Sequence, residues 1–297
     1  MKRQLLDGLG DYEVHRAREG FFSIRQISSG EIMHSRTDPM EEARKLYVEQ
    51  SNLAERLRRN SQKAEPLVIW DVGLGGAANA MAAIECHEKL SGPRPLHLIS
   101  FENDLDSLRL ALERHRDFPY LRVEAAEAIV ADGHWGSRNG AGVSWLLLPG
   151  DFLEAMNRAS PPDLIYYDMF STKTSSYLWT AATFHHVFNA CAARATELFT
   201  YTCSTANRAA LLAAGFHVAR GRNAGEKLET TIALTPAARQ STSTQRYDLL
   251  GADWLAKWKR SAAKFPTDIA PNDRLEFERT ILGHEQFRDS RPLERQL

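Results

Sequence analysis

The chain has 297 residues, of which 43% are hydrophobic and 25% are charged, proportions typical of a globular protein and not of a disordered or fibrous one. With 37 basic and 38 acidic residues the net charge is -1, so the chain has no general attraction for nucleic acid or membranes, and a polyanionic partner must meet a local basic patch. Three widely separated cysteines, Cys86, Cys191 and Cys203, fit neither a disulfide framework nor a zinc site.

No pattern in the sequence predicts export or membrane insertion. Apolar runs stay well short of the roughly 18 residues of a spanning helix, and Asp7 interrupts the start before a signal-like apolar core develops. The spacing of His34, His185 and His186 is not that of metal ligands. We therefore expect a cytoplasmic protein that binds no metal.

Residues 1–65 are expected to form an N-terminal cover on a larger core. Apolar residues alternate at 22–27 and again at 31–34, on either side of a Ser-Ser-Gly break, which predicts a hairpin. A helix should follow, because Asp38 is a suitable N-cap and Pro39 suits the first helical position. The residues that mark its buried face are Leu46, Leu53 and Leu57.

Residues 66–235 alternate between apolar runs and helical stretches, which predicts strand-helix repeats and a mostly parallel sheet. Seven strands are predicted at 67–72, 96–102, 143–148, 163–168, 196–202, 216–220 and 229–234. Helices are predicted at 76–90, 104–116, 151–158, 178–194 and 205–214, and residues 132–142 as a surface excursion.

The last two strands have no helix between them, so we expect them to pair as an antiparallel hairpin. A seven-stranded, mostly parallel sheet that ends in such a hairpin is the α/β fold of class I, Rossmann-like methyltransferases. Residues 236–297 are predicted as a C-terminal helical extension, with Trp254, Trp258, Leu275, Ile281 and Leu282 on two closing helices.

A glycine-rich turn joins the first core strand to its helix in the stretch "PLVIWDVGLGGAANAMAAI". Glycines there let the backbone approach a ligand and direct the free N–H groups of the helix start toward polar atoms. Gly73-x-Gly75-x-x-Ala78 satisfies the dinucleotide fingerprint, whereas Asp71-x-Gly73-x-Gly75 suits the acidic-first turn that binds S-adenosylmethionine. The turn alone leaves both ligands open, as well as a turn with no ligand.

Acidic residues also follow the next three strands, where ligands of open α/β sheets bind. Glu102 can accept hydrogen bonds from ribose hydroxyls, and Asp151 from an adenine amino group, although Asp151 also suits a helix N-cap. Asp168 ends the fourth strand. Together these positions predict a nucleoside site at one edge of the sheet.

The chain resembles the methyltransferase domain of the MnmC type, which also occurs alone as MnmD. The resemblance covers roughly residues 20–235 and is carried by "GEIMHSRTDPMEEARKLYVEQSNL", "DVGLGGAANAM", "LHLISFENDLDSL", "LLLPGDF" and "PDLIYYDMFSTKTSSYLWT". It implies a Rossmann-like enzyme that uses S-adenosyl-L-methionine to methylate the aminomethyl group of a modified wobble uridine in tRNA. Two-domain members add a flavin oxidase, but no second glycine-rich turn follows here, so we expect no flavin.

The resemblance also implies roles for single residues. The positions expected at the cofactor are Asp71, Gly73, Leu74, Gly75, Gly76, Glu102, Asn103, Gly150, Asp151 and Asp168. Asp168 lies beside the reactive methyl group and is expected, with Phe170, to be catalytic. The residues expected at the substrate are Tyr177, Trp179 and the basic Lys227.

The loop after the fourth strand departs from the family pattern. Family members commonly have two prolines between the Phe and the Trp-Thr pair, whereas residues 171–176 here contain none. A loop without proline is less rigid and can hold a different acceptor. Three alternatives therefore stay open, namely methylation of a small-molecule amine, a nicotinamide-dependent oxidoreductase, and a Rossmann-like binding protein without catalysis.

Overall fold

The computed structural model describes residues 8–59, 65–137, 142–222, 229–241 and 246–288. A nine-stranded sheet in these residues has the order β12-β10-β11-β9-β8-β4-β5-β7-β6, and a separate three-stranded sheet has the order β1-β2-β3. Pairs among β9, β8, β4, β5 and β7 are parallel, whereas β11 is antiparallel to both β9 and β10. This arrangement confirms a mostly parallel sheet with a terminal antiparallel hairpin.

The strands have these bounds: β1 Gly8–Leu9, β2 Tyr12–Arg16, β3 Phe22–Gln26, β4 Leu67–Val72, β5 Leu96–Glu102, β6 His134–Gly136, β7 Val143–Pro149, β8 Leu164–Tyr167, β9 Glu197–Thr200, β10 His217–Gly221, β11 Thr230–Leu234 and β12 Asp248–Leu249. The seven predicted strands correspond to β4, β5, β7, β8, β9, β10 and β11. Two short strands, β6 and β12, extend the sheet at its edges, because each pairs with two or three residues of an otherwise open strand.

The helices have these bounds: α1 Pro39–Ala43, α2 Leu53–Arg58, α3 Ala78–Glu88, α4 Asp106–Glu113, α5 Val123–Asp132, α6 Phe152–Ala155, α7 Ala181–Ala190, α8 Thr205–Ala213, α9 Pro236–Arg239, α10 Ala252–Arg260 and α11 Arg274–Gly283. The sequence did not predict α5. Its buried residues include Ala125 and Ala126, and its N-cap, Arg122, makes no side-chain capping hydrogen bond, so the usual start signal of a helix is absent.

Two hydrophobic cores lie on opposite faces of the large sheet. Along β4, Leu67 and Ile69 belong to the core beneath α3, α4 and α5, whereas Val68 and Trp70 belong to the core beneath α7 and α8. Successive side chains of a strand point to opposite faces, so the continuous apolar run of β4 supplies both cores. Because both of its faces are buried, β4 lies in the interior of the sheet, between β8 and β5. Its carboxyl end leads into the glycine-rich turn.

The N-terminal segment differs in part from the expected hairpin. The main partner of β3 is β2, and residues 31–33 contribute only an isolated bridge, Arg25 to Ile32, with two further backbone hydrogen bonds. Asp38 caps α1 as predicted, by accepting from the backbone N–H groups of Met40 and Glu41. The predicted single helix is instead α1, a π-helical turn at Arg44–Glu49 and α2, which begins after Asn52 in the left-handed region.

The C-terminal helices add to the core on the α7 and α8 face. Trp254 and Trp258 of α10 and Ile281 of α11 are buried there, as the sequence predicted. Leu275 also lies on α11, as predicted, but it is 60% exposed, and Phe277 of the same helix is buried instead. The division of the chain at residues 65 and 235 stays a proposal.

Candidate active site

A cavity of about 510 Å³ opens at the carboxyl ends of β4, β5 and β8. This volume lies within the range of about 300–1,000 Å³ that is usual for small-molecule sites. Three segments form its walls, namely the turn between β4 and α3, the residues that follow β8, and residues 30–37 of the N-terminal segment. The expected cover therefore contributes directly to the candidate site.

The glycine turn requires backbone shapes that other residues rarely adopt. Gly73 has a φ of +91° and Gly75 a φ of +51°, both in the left-handed region. A Cβ atom on Gly73 would lie 2.7 Å from the backbone oxygen of Asp168, and one on Gly75 would lie 3.0 Å from the sulfur of Met33. Leu74 and Gly76 also line the cavity. The turn thus leaves its backbone open to a ligand.

Glu102 is held rigidly at the end of β5. Its Oε2 accepts the N–H of Gly75 at 3.0 Å, and its Oε1 accepts the N–H groups of Asn103 and Asp104 at 2.9 and 3.2 Å. Burial raises the pKa of Glu102 above its ordinary value, against these hydrogen bonds, which lower it. Oε2 keeps a further lone pair, so the carboxylate can still accept a hydroxyl group of a sugar.

Asp71 does not line the cavity. It is fully buried, and its Oδ2 accepts the hydroxyl of Ser100 at 2.7 Å. Burial raises the pKa of Asp71 to about 7. Within the described residues its Oδ1 has no hydrogen-bond partner, a costly condition for a buried carboxylate. Asp71 therefore lies buried behind the glycine turn. Its side chain would have to move to contact a cofactor directly.

The expected adenine end of the site is nearly closed. Asp151 caps α6 by accepting from the N–H of Leu153, and its Oδ2 accepts the hydroxyl of Tyr177 at 2.9 Å. Gly150, Phe152 and Tyr177 surround a side pocket of only about 10 Å³, which holds no more than a water molecule. Tyr177 is 46% exposed and can rotate, so adenine would enter by displacing its hydroxyl from Asp151.

Asp168 lies on the cavity wall directly beside the glycine turn. Its Oδ2 accepts a hydrogen bond of 2.8 Å from the side-chain amide of Asn79 at the start of α3. Burial raises the pKa of Asp168, while the charge of His34 and the Asn79 hydrogen bond oppose that rise. The hydroxyl of Tyr47 also approaches Asp168 and lowers its pKa, whereas Oδ1 of Asn79 lacks a hydrogen-bond partner among the described residues. Such an unpaired group suits a polar ligand.

Trp179 does not reach the cavity. Its side chain is buried, with 2% of its surface exposed, and its indole N–H donates to the backbone oxygen of Phe170 at 2.8 Å. We therefore replace the expected substrate contact of Trp179 by support of the chain at Phe170, which itself lines the cavity together with Tyr177. Lys227, the expected basic contact, lies outside the described residues.

Glu31 secures the loop that follows β8, a role that the sequence analysis missed. Its carboxylate accepts the N–H of Ser171 at 2.8 Å, the hydroxyl of Ser171 at 3.0 Å and the hydroxyl of Thr174 at 2.7 Å. These bonds join segments 140 residues apart in the sequence. The loop without prolines is thus held by a carboxylate from the N-terminal segment.

His34 and Glu42 form a second group that the sequence analysis did not assign. Nδ1 of His34 lies 3.1 Å from Oε2 of Glu42, and both side chains line the cavity, as Asp168 does. The strand-end rule could not find them, because they precede the first strand of the large sheet. Their spacing of eight residues across the start of α1 carried no recognised signal.

Two arginines, Arg208 and Arg56, are bound internally and so add nothing to a basic surface patch. Arg208 is 3% exposed and donates to Glu229, the hydroxyl of Thr231 and the backbone oxygen of Thr230. Arg56 pairs with the buried Glu197. Neither guanidinium is available to a nucleic acid in this conformation.

The part of the chain that the structure describes contains no group of three histidine, cysteine or acidic residues that could hold a metal ion. Among the same residues, no helix has the length and apolar character needed to cross a membrane.

The cavity fits S-adenosyl-L-methionine at two of its three parts. Glu102 and Asn103 line the wall where a ribose is expected, and the glycine turn and the unpaired Oδ1 of Asn79 suit an amino acid moiety. The adenine part needs rotation of Tyr177. When bound, this cofactor supplies a methyl group that is already activated on a sulfonium.

Comparison with known proteins agrees with this geometry. Residues 139–236 match the model of a family described as S-adenosyl-L-methionine-dependent methyltransferases. A crystal structure of MnmC2 from Aquifex aeolicus superposes with a TM-score of 0.66, covers 93% of this chain and 86% of that chain, and is 19% identical, which shows a shared fold.

Two curated relatives bear the name tRNA 5-methylaminomethyl-2-thiouridine biosynthesis bifunctional protein MnmC. The protein from Aeromonas hydrophila is 27% identical over 67% of this chain, and that from Ectopseudomonas mendocina is 29% identical over 68%. Each match spans 32% of the relative's own length. The chain is thus similar to S-adenosyl-L-methionine-dependent methyltransferases over residues 139–236 and to the MnmC proteins over two thirds of its own length.

Proposed function

We propose that the chain methylates the primary amine of an aminomethyl group on a modified wobble uridine of tRNA. The named relatives act in the biosynthesis of 5-methylaminomethyl-2-thiouridine, and their likeness extends over two thirds of this chain. Because each match spans about a third of the relative, the second activity implied by the word bifunctional is not part of the proposal.

The observation that carries the proposal is the acidic inner wall of the cavity. Asp168 and Glu42 both line it, and Asp168 adjoins the glycine turn where the methyl donor is expected. Carboxylates attract an aminomethyl group, which is cationic in water, and bring it toward the donor. The alternative of a nicotinamide-dependent oxidoreductase is not favoured, because the matched family consists of methyltransferases.

In this proposal each wall has a separate task. Glu102 and Asn103 hold the sugar of the donor, and the glycine turn accommodates its amino acid part. Asp168 orients the acceptor nitrogen, while Phe170 and Tyr177 close the cavity beside the uracil ring. Since the sulfonium methyl is already reactive, alignment of nitrogen, carbon and sulfur is the main contribution of the protein.

The test uses bulk tRNA from a bacterium that lacks its own wobble methyltransferase. The purified protein is incubated with this tRNA and S-adenosyl-L-methionine labelled in the methyl group, and the nucleosides are then separated by liquid chromatography with mass detection. We expect the label to appear in 5-methylaminomethyl-2-thiouridine, with loss of the aminomethyl nucleoside.

The matched control is tRNA from the parent strain, in which the amine is already methylated and should take up no label. Label in a different nucleoside would contradict the proposed acceptor. Label in free primary amines but not in tRNA would instead support the small-molecule alternative.

A further inference from the structure

His34 and Glu42 are arranged as a proton-accepting pair at the inner wall of the cavity. Nδ1 of His34 faces the Glu42 carboxylate at 3.1 Å, and a carboxylate can only accept, so the hydrogen of the neutral ring resides on Nδ1. The lone pair is then on Nε2. Within the described residues, the structure gives Nε2 no hydrogen-bond partner.

The pair is fixed in position by its surroundings. The backbone N–H of His34 donates to the hydroxyl of Ser23 at 3.1 Å, and Ser23 is buried in β3. Glu42 lies in α1, whose N-terminus is capped by Asp38. Only 14% of the His34 side chain and 17% of the Glu42 side chain are exposed, so the imidazole is held in a largely dry wall of the cavity.

We propose that His34, oriented by Glu42, is the catalytic residue that takes a proton from the acceptor ammonium before methyl transfer. This inference rests on the proposed function, since it requires an amine acceptor. One N–H bond of the ammonium breaks, its electron pair stays on nitrogen, and the proton binds Nε2 of His34. The free pair can then form the new N–C bond, while the C–S bond breaks with its pair going to sulfur. After release of the product, His34 passes the proton to solvent.

His34 is better suited to this step than Asp168. A base works best when its pKa approaches that of the group that it deprotonates, and an amine has a pKa several units above that of an aspartate. Burial lowers the pKa of His34, but the hydrogen bond and charge of Glu42, together with the charges of Asp168 and Asp38, raise it above its ordinary 6.5. The raised pKa of His34 is therefore closer to the pKa of the acceptor amine.

Charged and titratable groups approach His34 from several elements. Glu42 and Asp38 belong to α1 and its cap, Asp168 follows β8, and Arg36 and Tyr201 line the same cavity. The acidic groups stabilise imidazolium after proton transfer, so the neutral, active form should appear only above the ordinary pKa of histidine. Activity should therefore rise with pH along a limb that lies above 6.5.

The test compares His34→Gln, Glu42→Gln and the control His186→Gln, which changes an exposed histidine on α7. We expect kcat at neutral pH to fall about 100-fold in His34→Gln, and the pH limb that belongs to His34 to be replaced by a rise that continues toward the pKa of the amine. Glu42→Gln should move the limb of His34 to lower pH, because the negative charge of Glu42 no longer raises the pKa of His34. His186→Gln should match the unchanged protein, and the affinity for S-adenosyl-L-methionine should stay within about threefold in all three.

A second measurement does not depend on the acceptor. The ¹⁵N resonances of His34 in the cofactor-free protein, assigned by their loss in His34→Gln, should report the Nδ1–H tautomer and a pKa above 6.5. Hydrogen on Nε2, a pKa below 6.5, or a pH profile unchanged in His34→Gln would overturn the inference. Absence of methyl transfer to tRNA by the unchanged protein would instead refute the proposed function, and the pH profiles would then be measured on primary amines.

Discussion

The proposed donor side and the proposed acceptor side of the cavity are built in different ways. On the donor side, the glycine turn and Glu102 come from the ends of adjacent strands and are tied by the bond from the Gly75 N–H to Glu102. On the acceptor side, Glu31 reaches Ser171 across 140 residues of sequence, and His34 and Glu42 come from a segment outside the large sheet.

The first side uses a feature common to open parallel sheets, whereas the second depends on a packing arrangement of this chain. The donor side follows from the geometry of any open parallel sheet, which gathers the carboxyl ends of its strands at one edge. The acceptor side depends on how one N-terminal segment packs against one loop. Changes on the donor side should therefore abolish cofactor binding, whereas changes on the acceptor side should alter turnover or acceptor affinity.

The largest effect is expected from Gly75→Val. A β-branched residue is strongly disfavoured at a φ of +51°, and its Cβ would lie 3.0 Å from the Met33 sulfur, inside the donor side of the cavity. We expect binding of S-adenosyl-L-methionine to fall below detection by calorimetry. Gly92→Val is the matched control, because Gly92 has a φ of +59° with open space around its Cβ. Equal loss of cofactor binding in both variants would point to general backbone strain.

Asp168→Ala should separate the effects on turnover from those on cofactor binding. Asp168 adjoins the turn, yet its carboxylate bonds to Asn79 and faces the acidic wall. Without it the acceptor nitrogen loses its orienting partner, and misplacement of a reacting group can cost about 100-fold in turnover. We expect kcat to fall by that factor while cofactor affinity changes less than about threefold.

Asp168→Asn is the companion variant, since its amide oxygen can still accept from Asn79. If either variant abolishes cofactor binding in a calorimetric titration, Asp168 belongs to the donor side. Its role in orienting the acceptor would then have to be withdrawn.

The sequence predicted the sheet well, because its strands depend on local patterns, and it proposed the donor side from the ends of those strands. Apolar runs located the seven strands, one of which ends at Glu102 and another of which is followed by Asp168. Because no helical pattern separates the last two of these strands, the sequence also predicted the antiparallel hairpin. The helix α5 was missed, because Arg122 at its start makes no side-chain capping hydrogen bond and gives no start signal. The contacts of Glu31 with the loop and of His34 with Glu42 arise from tertiary packing, which no short motif encodes.

Glu31→Ala should weaken the acceptor side without stopping catalysis. It removes three hydrogen bonds that hold residues 171–174, and a hydrogen bond to a charged group contributes about 1.5–3 kcal/mol. Because part of this loss is recovered as loop entropy, we expect KM for the acceptor to rise about tenfold and kcat to change little. Steady-state kinetics with Glu19→Ala, an exposed acid in the same segment, provide the control. A fall in kcat at unchanged KM would contradict a positioning role.

The smallest effect is expected from Tyr177→Phe, and its direction is the informative part. The hydroxyl of Tyr177 occupies Oδ2 of Asp151, the oxygen expected to receive the adenine amino group. Removing a competing hydrogen bond worth about 1 kcal/mol should tighten cofactor binding about fivefold, as measured by calorimetry. The same substitution in an Asp151→Ala background should give no gain, because the two residues act through one contact. If Tyr177→Phe weakens binding instead, its hydroxyl assists the cofactor, and the closed side pocket is not the adenine site.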